Sequence, residues 1–433
     1  MSPSSSRAPS KLEKARQARE NGDRRLAEKL YYSALDEQPD ELEALGFVST
    51  QALLRGDPKL CIQILEAGKA SHARDGDLLR TLGIAYRSIG DRARALEHFS
   101  AACAVNPRDY FARLPMAQLY EEADKLYPAV AAYFGALTSA QLEGLWLDKA
   151  STPTDLLDAV QHAVQVVRRH RPAILSSILE PLWRRHGRPA LRRIEHALRI
   201  YLREIDPGYS DSRQRPLFFY IPELPARPYF DTAIFTWAKR IEQKAPLIRQ
   251  ELLELIQSRA VFEPFHEQNG PEQIKGLLRN ETADSGWDTY FLYRHGEEFV
   301  DHGLRCPRTA SSLRDLPLAT IRDHAPEALF SLLRPGTHIL PHRGVTNCRL
   351  VAHLPLVVPP DCAIVVGGET HTWEEGRLVV FDDTFEHEAW NRSDSLRAVL
   401  ILDIWHPDLD SVEREALQAL IPAIGDFNRQ SGL

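Results

Sequence analysis

A chain of 433 residues with 43% hydrophobic side chains is too long for one ordinary domain and can fill at least two cores. Its net charge of −7 excludes a global attraction for nucleic acid or an anionic membrane. The N-terminal MSPSSSRAPSKLEKARQ lacks the apolar core of a signal peptide, no apolar run reaches membrane-spanning length, and Cys61, Cys103, Cys306, Cys348 and Cys362 are scattered without CxxC spacing. A soluble cytoplasmic protein with reduced thiols is therefore expected, without a disulfide framework or a zinc ribbon.

Residues 1–10 read as a disordered N-terminus. Beyond them Gly22-Asp23, Gly56-Asp57 and Gly90-Asp91 recur with a period of 34, and the next step lands on Asp124. Small residues stay in phase with them at Ala27, Cys61, Ala95 and Ala129, and again at Ala34, Gly68, Ala102 and Ala136. Between these lie Tyr31, Leu65, Phe99 and Tyr133. The third unit, with Leu82, Gly83, Tyr86, Gly90, Ala95, Phe99, Ala102 and Pro107, has the offsets of a tetratricopeptide repeat, so residues 11–146 are read as an all-α repeat superhelix. Such an array offers a concave surface to a peptide or protein partner, or serves as a scaffold or dimerisation element.

Residues 147–215 keep helical spacing without the repeat signature and read as a helical connector, broken near Pro172 and Gly187-Arg188-Pro189. From Pro216 the texture changes. LFFYIPELPARPYF is aromatic and proline-rich, and between Phe330 and Trp405 short runs such as RLVAHLPLVV, AIVVG, RLVVF and RAVLILDIW are divided by PGT, PPD, GGE, EEG and NRSD. Many short strands at this spacing mean an antiparallel sandwich or barrel over 216–409, followed by a closing helix over 410–433.

Within the β-rich region His342 and His387 stand 45 residues apart, each at the edge of a strand-like run, and two such imidazoles can share a metal. A turn at Asn391-Arg392-Ser393-Asp394 folds Arg397 back toward His387. In that register the two are direct cross-strand neighbours with Cα atoms roughly 5 Å apart. A planar guanidinium there suits a carboxylate held beyond the metal; the alternative is an Arg–Asp pair inside the sheet with Asp403 or Asp383.

The stretches SLLRPGTHILPHRGVTNCRLVAHLPLVVP and ETHTWEEGRLVVFDDTFEHEAWNRSDSLRAVLILDIWHPDL resemble the core of the aspartyl/asparaginyl β-hydroxylase family. The likeness extends over Pro216 to Leu409 with decreasing strength toward its start, and the family often carries tetratricopeptide repeats upstream. The resemblance implies an α+β multidomain chain: the repeat superhelix, then a double-stranded β-helix (jelly roll) with flanking helices. It implies a dioxygenase using Fe(II), 2-oxoglutarate and O2. In that pattern His342 and His387 hold the iron, and Arg397 and Ser331 bind the distal carboxylate of 2-oxoglutarate. His353 contacts the co-substrate nearer the metal, and Asp383 acts on a metal-bound water.

Two positions depart from the commoner patterns. The carboxylate of the usual two-histidine, one-carboxylate iron site would stand two residues after His342, where the chain has Gly344. The family lacks this carboxylate too, and an open position there admits a halide, as in 2-oxoglutarate halogenases. At Val351 animal members of the family place a second arginine, for which Arg349 or His353 would stand in. Glu386 and Glu388 alternate to the opposite face from His387, His338 and His302 read as polar liners at most, and FHEQN at His266-Glu267 lacks the second histidine of a zinc protease motif. The expected reaction is hydroxylation of an unactivated carbon, by resemblance the β-carbon of Asp or Asn in a peptide or protein recruited by the repeats. The rivals are a repeat adaptor with a degenerate jelly roll, a non-redox jelly-roll isomerase, and a 2-oxoglutarate oxygenase acting on a small molecule.

Overall fold

The computed structural model describes residues 10–68, 70–265, 278–279 and 286–433. They form two compact units, one reaching to residue 174 and including 425–433, the other spanning 175–424. Residues 1–9 and the His266-Glu267 pair lie outside the described residues.

In the first unit eight helices form four antiparallel pairs: α1 (Lys11–Glu20) with α2 (Arg24–Glu37), α3 (Leu42–Leu54) with α4 (Pro58–Gly68), α5 (Gly76–Ser88) with α6 (Arg92–Val105), and α7 (Tyr110–Glu122) with α8 (Leu126–Leu142). The recurring Gly-Asp dipeptide is the turn within each pair. Gly22, Gly56 and Gly90 have φ of 76°, 78° and 81°, which an L side chain rarely adopts. The Asp that follows accepts a hydrogen bond from the backbone N–H of Leu26, Leu60 or Arg94 and caps the second helix. In the fourth pair Asp124 takes the left-handed position at φ 57°, and Lys125 makes no side-chain cap. The in-phase apolar positions are the buried ones: Ala27, Cys61, Ala95 and Ala129, and Tyr31, Leu65, Phe99 and Tyr133, have no exposed surface. Residues 425–433 pack on the last pair, with Phe427 against Tyr127 and Phe134, each at 5.7 Å between ring centroids. They give the array an apolar cap.

The unit boundary falls within α9 (Leu157–Ser177), so the predicted connector 147–215 is divided between the units. It falls again within α15 (Ser411–Ser431), dividing 410–433. The helices α10 (Glu180–His186) and α11 (Arg192–Tyr201) belong to the second unit, as do α12 (Ala238–Gln257), α13 (Val300–Arg305) and α14 (Pro307–Arg314). No described helix is long and apolar enough to cross a membrane.

Among the described residues the second unit holds two antiparallel sheets. The eight-stranded one contains β1 (Tyr229–Phe230), β2 (Glu263–Pro264), β4 (Trp287–Arg294), β5 (Glu297–Glu298), β6 (Ala328–Leu333), β8 (Arg349–Val357), β11 (Val379–Phe381) and β13 (Arg397–Trp405). The five-stranded one contains β3 (Leu278–Arg279), β7 (Thr337–His342), β9 (Cys362–Val366), β10 (Glu369–His371) and β12 (His387–Asn391). Strand alternation gives the larger sheet two apolar faces. Ala398, Leu400, Leu402 and Ile404 of β13 join Phe330 and Leu332 in one core with Ile241, Ile248, Leu252 and Leu255 of α12 and Leu313 of α14. Leu333, Val351, Val379 and Phe381 form the other with Ile339, Cys362, Ile364, Val366 and Ala389 of the smaller sheet. The two sheets therefore face each other across that second cluster.

One expectation is corrected. β12 and β13 are not hairpin partners: β12 lies between β9 and β7, and β13 lies between β8 and β6 in the other sheet. The turn at 392–396 carries the chain across the sandwich instead of back along one sheet. Asn391, fully buried, holds this corner by donating from Nδ2 to the carbonyls of Leu333 and Ser395, both at 2.8 Å. His387 and Arg397 thus approach from opposite sheets.

Candidate active site

The cross-strand partner of His387 is His342. The first residue of β12 meets the last of β7, and the two imidazole rings stand 4.0 Å apart, centroid to centroid. The register between β7 and β12 shifts immediately beyond this pair, at Pro341, which has no N–H to give the ladder; such a bulge re-aims its neighbour. Each ring is fixed from behind. Nδ1 of His342 lies 2.8 Å from the carbonyl of Leu340 and Nδ1 of His387 lies 3.1 Å from that of Phe385. A carbonyl only accepts, so both Nδ1 atoms carry the proton and both Nε2 atoms keep a lone pair. Burial pushes His342 below its ordinary pKa, and burial, together with His342 beside it, pushes His387 well below. The pair is neutral, which is the form that binds a metal.

Gly344 stands two residues beyond His342 because nothing larger fits. A Cβ there would lie 2.1 Å from Cγ of Asp383 and 2.2 and 2.3 Å from its two oxygens. The Asp383 carboxylate occupies the place that a side chain at 344 would need. Its Oδ2 pairs with Nη1 of Arg349 at 3.1 Å, while its buried Oδ1 has no protein partner. Nη1 of Arg349 also donates to Oδ1 of Asp403 at 2.8 Å. The preceding Asp382 shapes the turn by accepting from the Thr384 N–H at 2.9 Å and from Nε2 of Gln214 at 2.6 Å.

Arg397, at the start of β13, is only 2% exposed, and its Nε and Nη1 have no hydrogen-bond partner. Asp383 and Asp403 pair with Arg349, so neither neutralises it. Its guanidinium lies over the Trp373 ring at 4.9 Å, and burial pushes its pKa down to about 10. A buried unpaired cation costs several kcal/mol, and these nitrogens are free to take an anion. Ser331 lies diagonally across the β6–β13 ladder on the same face, its Oγ accepting from Nε1 of Trp287 at 2.9 Å. His353 of β8 sets its ring edge-on to Phe381 at 4.9 Å, 5.9 Å from Trp373. Its Nδ1 is buried without a partner, and burial, reinforced by the Arg397 charge, pushes its pKa down to about 3. Phe381 in turn lies 5.7 Å from His387, which completes a continuous line from the histidine pair to Arg397.

His342, His387, Asp383, His353, Ser331 and Arg397 therefore converge on the space between the sheets. Arg349 shares their face of β8 but is committed to two carboxylates. Val351 is 8% exposed and belongs to the apolar cluster. Glu386 and Glu388 turn away and pair with Arg343 at 3.2 Å and His338 at 2.7 Å. His302 donates from Nδ1 to the Phe291 carbonyl and stacks on Tyr290 at 4.2 Å, apart from the site. Among the described residues no cluster of three or more His, Cys, Asp or Glu side chains is arranged to hold a metal. Trp373 and Trp287 escaped the sequence reading. The available signal was the tryptophan in HTWEEG, an apolar residue in an otherwise polar turn.

Residues 242–407 match the family model for aspartyl/asparaginyl beta-hydroxylase. The aspartyl/asparaginyl beta-hydroxylase of Homo sapiens is 27% identical over 356 residues, covering 80% of this chain and 40% of the relative. Aspartate beta-hydroxylase domain-containing protein 2 of Homo sapiens is 35% identical, covering 48% and 56%. The ornithine lipid ester-linked acyl 2-hydroxylase of Rhizobium tropici is also 35% identical, covering 42% and 61%. The chain thus spans between 40% and 61% of the length of these relatives. Among solved structures, MamA aligns with a TM-score of 0.30 at 18% identity, covering 36% of this chain and 80% of that one. A thermophilic tetratricopeptide repeat protein of Thermus thermophilus aligns with a TM-score of 0.28 at 21% identity, covering 44% and 97%.

Proposed function

We propose that the chain is an Fe(II)- and 2-oxoglutarate-dependent hydroxylase whose β-rich unit is a double-stranded β-helix, a reading supported by the match of residues 242–407 to the aspartyl/asparaginyl beta-hydroxylase family model. The jelly-roll reading rests on the strand order. From β6 to β13 the chain passes between the larger and the smaller sheet at every step but β9 to β10, and the strands of each sheet pair antiparallel.

The observation that carries the activity is the juxtaposition of two neutral imidazoles, their Nε2 lone pairs set by Nδ1 bonds to backbone, with a buried Arg397 that has two unpartnered nitrogens. Those residues fit a divalent metal and an anion together. His342 and His387 would hold iron, and Arg397 with the Ser331 hydroxyl would take the far carboxylate of 2-oxoglutarate, matching a planar fork to a planar anion. Asp383, anchored by Arg349, presents its free Oδ1 on the His342 side and can accept a proton from water there. A negative carboxylate at the position a halide would need favours hydroxylation over halogenation. The interior cluster, with Phe381, Val351 and Val379, excludes bulk water from the space between the sheets. Bound iron supplies the oxidising chemistry, by which O2 and 2-oxoglutarate become succinate, carbon dioxide and the one oxygen atom inserted into a substrate C–H bond.

For the substrate we propose the β-carbon of Asp or Asn in a peptide or protein recruited by the repeats. The similarity to the human beta-hydroxylase covers 80% of the chain and so includes repeats as well as the β-rich unit, whereas that to the acyl 2-hydroxylase covers 42%. Five buried, unbridged thiols suit a reducing compartment, and the cytoplasm is the proposed location. The test is succinate release from 2-oxoglutarate with Fe(II), ascorbate and O2, with His387→Ala as control. Succinate from the wild type alone supports the reading, and its absence from both proteins overturns it.

A further inference from the structure

We propose that Trp373 is a co-substrate-binding residue of this site, its indole N–H donating to the bound 2-oxoglutarate where Val351 leaves no second cation. The inference rests on the oxygenase reading above and goes beyond it by naming a neutral donor in the grip on the dicarboxylate.

Three observations converge on it. Trp373 is 6% exposed, yet its Nε1 has no protein partner, whereas Trp287 of β4 gives its N–H to Ser331 at 2.9 Å. A buried indole N–H ordinarily finds an acceptor; Trp146 and Trp183 lack one as well, but of the three it is Trp373 that stands beside the unpartnered nitrogens of Arg397 and His353, which marks it as a place where an acceptor arrives from outside the protein. The ring also lies near two other unsatisfied groups of the site. Arg397 lies over it at 4.9 Å, with Nε and Nη1 free, and His353 lies 5.9 Å away with Nδ1 free. An anion that satisfies Arg397 is therefore brought to the indole as well.

The third observation is a deficit of charge. A dicarboxylate chelated at one end still has a second negative end, and Arg397 is the cation available to it, because Arg349 is already bound to Asp383 and Asp403 and position 351 is Val. Neutral donors must supply the remaining hydrogen bonds. Trp373 contributes twice: its face holds the guanidinium plane in place, and its edge donates.

The test separates the two contributions. Trp373→Phe keeps an aromatic face under Arg397 and removes the N–H, while Trp373→His restores a ring donor. Calorimetry with Mn(II)-loaded, oxygen-free protein gives the dissociation constant for 2-oxoglutarate, and Mn(II) binding without it reports whether the metal pair is intact. The expected result is about tenfold or more weakening in Trp373→Phe, typical of a lost hydrogen bond to a charged group, with Mn(II) affinity unchanged and partial recovery in Trp373→His. An unchanged dissociation constant in Trp373→Phe overturns the proposal while leaving the oxygenase reading standing. Failure of the wild type to bind 2-oxoglutarate overturns both. Should Trp373→Phe lose Mn(II) binding or its fold, Trp373→His decides: wild-type affinity there supports the donor, and loss of 2-oxoglutarate binding with intact Mn(II) binding overturns it.

Discussion

On one side of the larger sheet β13 presents Ala398, Leu400, Leu402 and Ile404 to the helices α12 and α14, all without exposed surface. On the other side the same strand presents Arg397 and Asp403 to the space between the sheets, and there Arg397, His353, Trp373 and Asp383 each keep a buried polar atom without a protein partner. On the helix-covered face β13 carries apolar side chains alone. The inner face is complete only when something else fills it. Stability and function should therefore separate between neighbouring residues of one strand.

The largest expected effect is on the inner face. His387→Ala removes one of two proposed metal ligands and should reduce succinate formation by well over the roughly 100-fold seen for changes one shell further out. Circular dichroism of the metal-free variant should match the wild type, since a neutral imidazole is what is lost. Retention of Fe(II) by this variant would break the contrast.

Leu400→Ala, three residues from Arg397 but on the helix-covered face, should behave in the opposite way. It should cost about 2–5 kcal/mol in urea unfolding, the range for a fully buried leucine. The affinity of the remaining folded protein for 2-oxoglutarate should not change. A co-substrate affinity that falls with the stability would show that the faces are not independent.

A smaller effect is expected from pH. His353 is neutral in the fold, its pKa pushed down to about 3 by burial and the Arg397 charge, and an unfolded histidine titrates near 6.5. A base with a depressed folded pKa contributes stability that is present above the unfolded value and lost as the pH falls. Metal-free protein should thus lose on the order of 2 kcal/mol at pH 5 relative to pH 7 through this group, before His387 adds its share. Unfolding of His353→Phe at the two pH values sharpens the comparison, because its dependence should be flatter. An identical slope in the two proteins would remove His353 from the explanation.

What was legible beforehand follows the range of the signal. The repeats announced themselves because each Gly-Asp turn is a local device, a left-handed glycine followed by a capping aspartate, and it recurs in register. Asp124 shows the limit, since the turn is kept there while the glycine and the cap are not. Individual strands were readable from alternation, but alternation along one strand does not say which sheet the next one joins. That is why His387 and Arg397 were expected as hairpin neighbours and are found in facing sheets. The same holds for Arg349, whose place on the face of His353 was readable and whose pairing with Asp383 and Asp403 was not, because both partners come from distant segments. Trp373 sits in a turn, where no periodicity points inward.

The most direct test of a prepared inner face is a titration of 2-oxoglutarate, without oxygen, into Fe(II)-loaded and metal-free protein, repeated with Arg397→Met. One molecule of 2-oxoglutarate should bind per chain only with metal present. The Arg397 substitution should weaken that binding by about 100-fold or more, as expected for two lost charge-assisted hydrogen bonds. It should also raise the melting temperature of the metal-free protein, because a buried cation with two unpartnered nitrogens is removed. Equal binding by both proteins, or a melting temperature that falls, would contradict an inner face built around a missing anion.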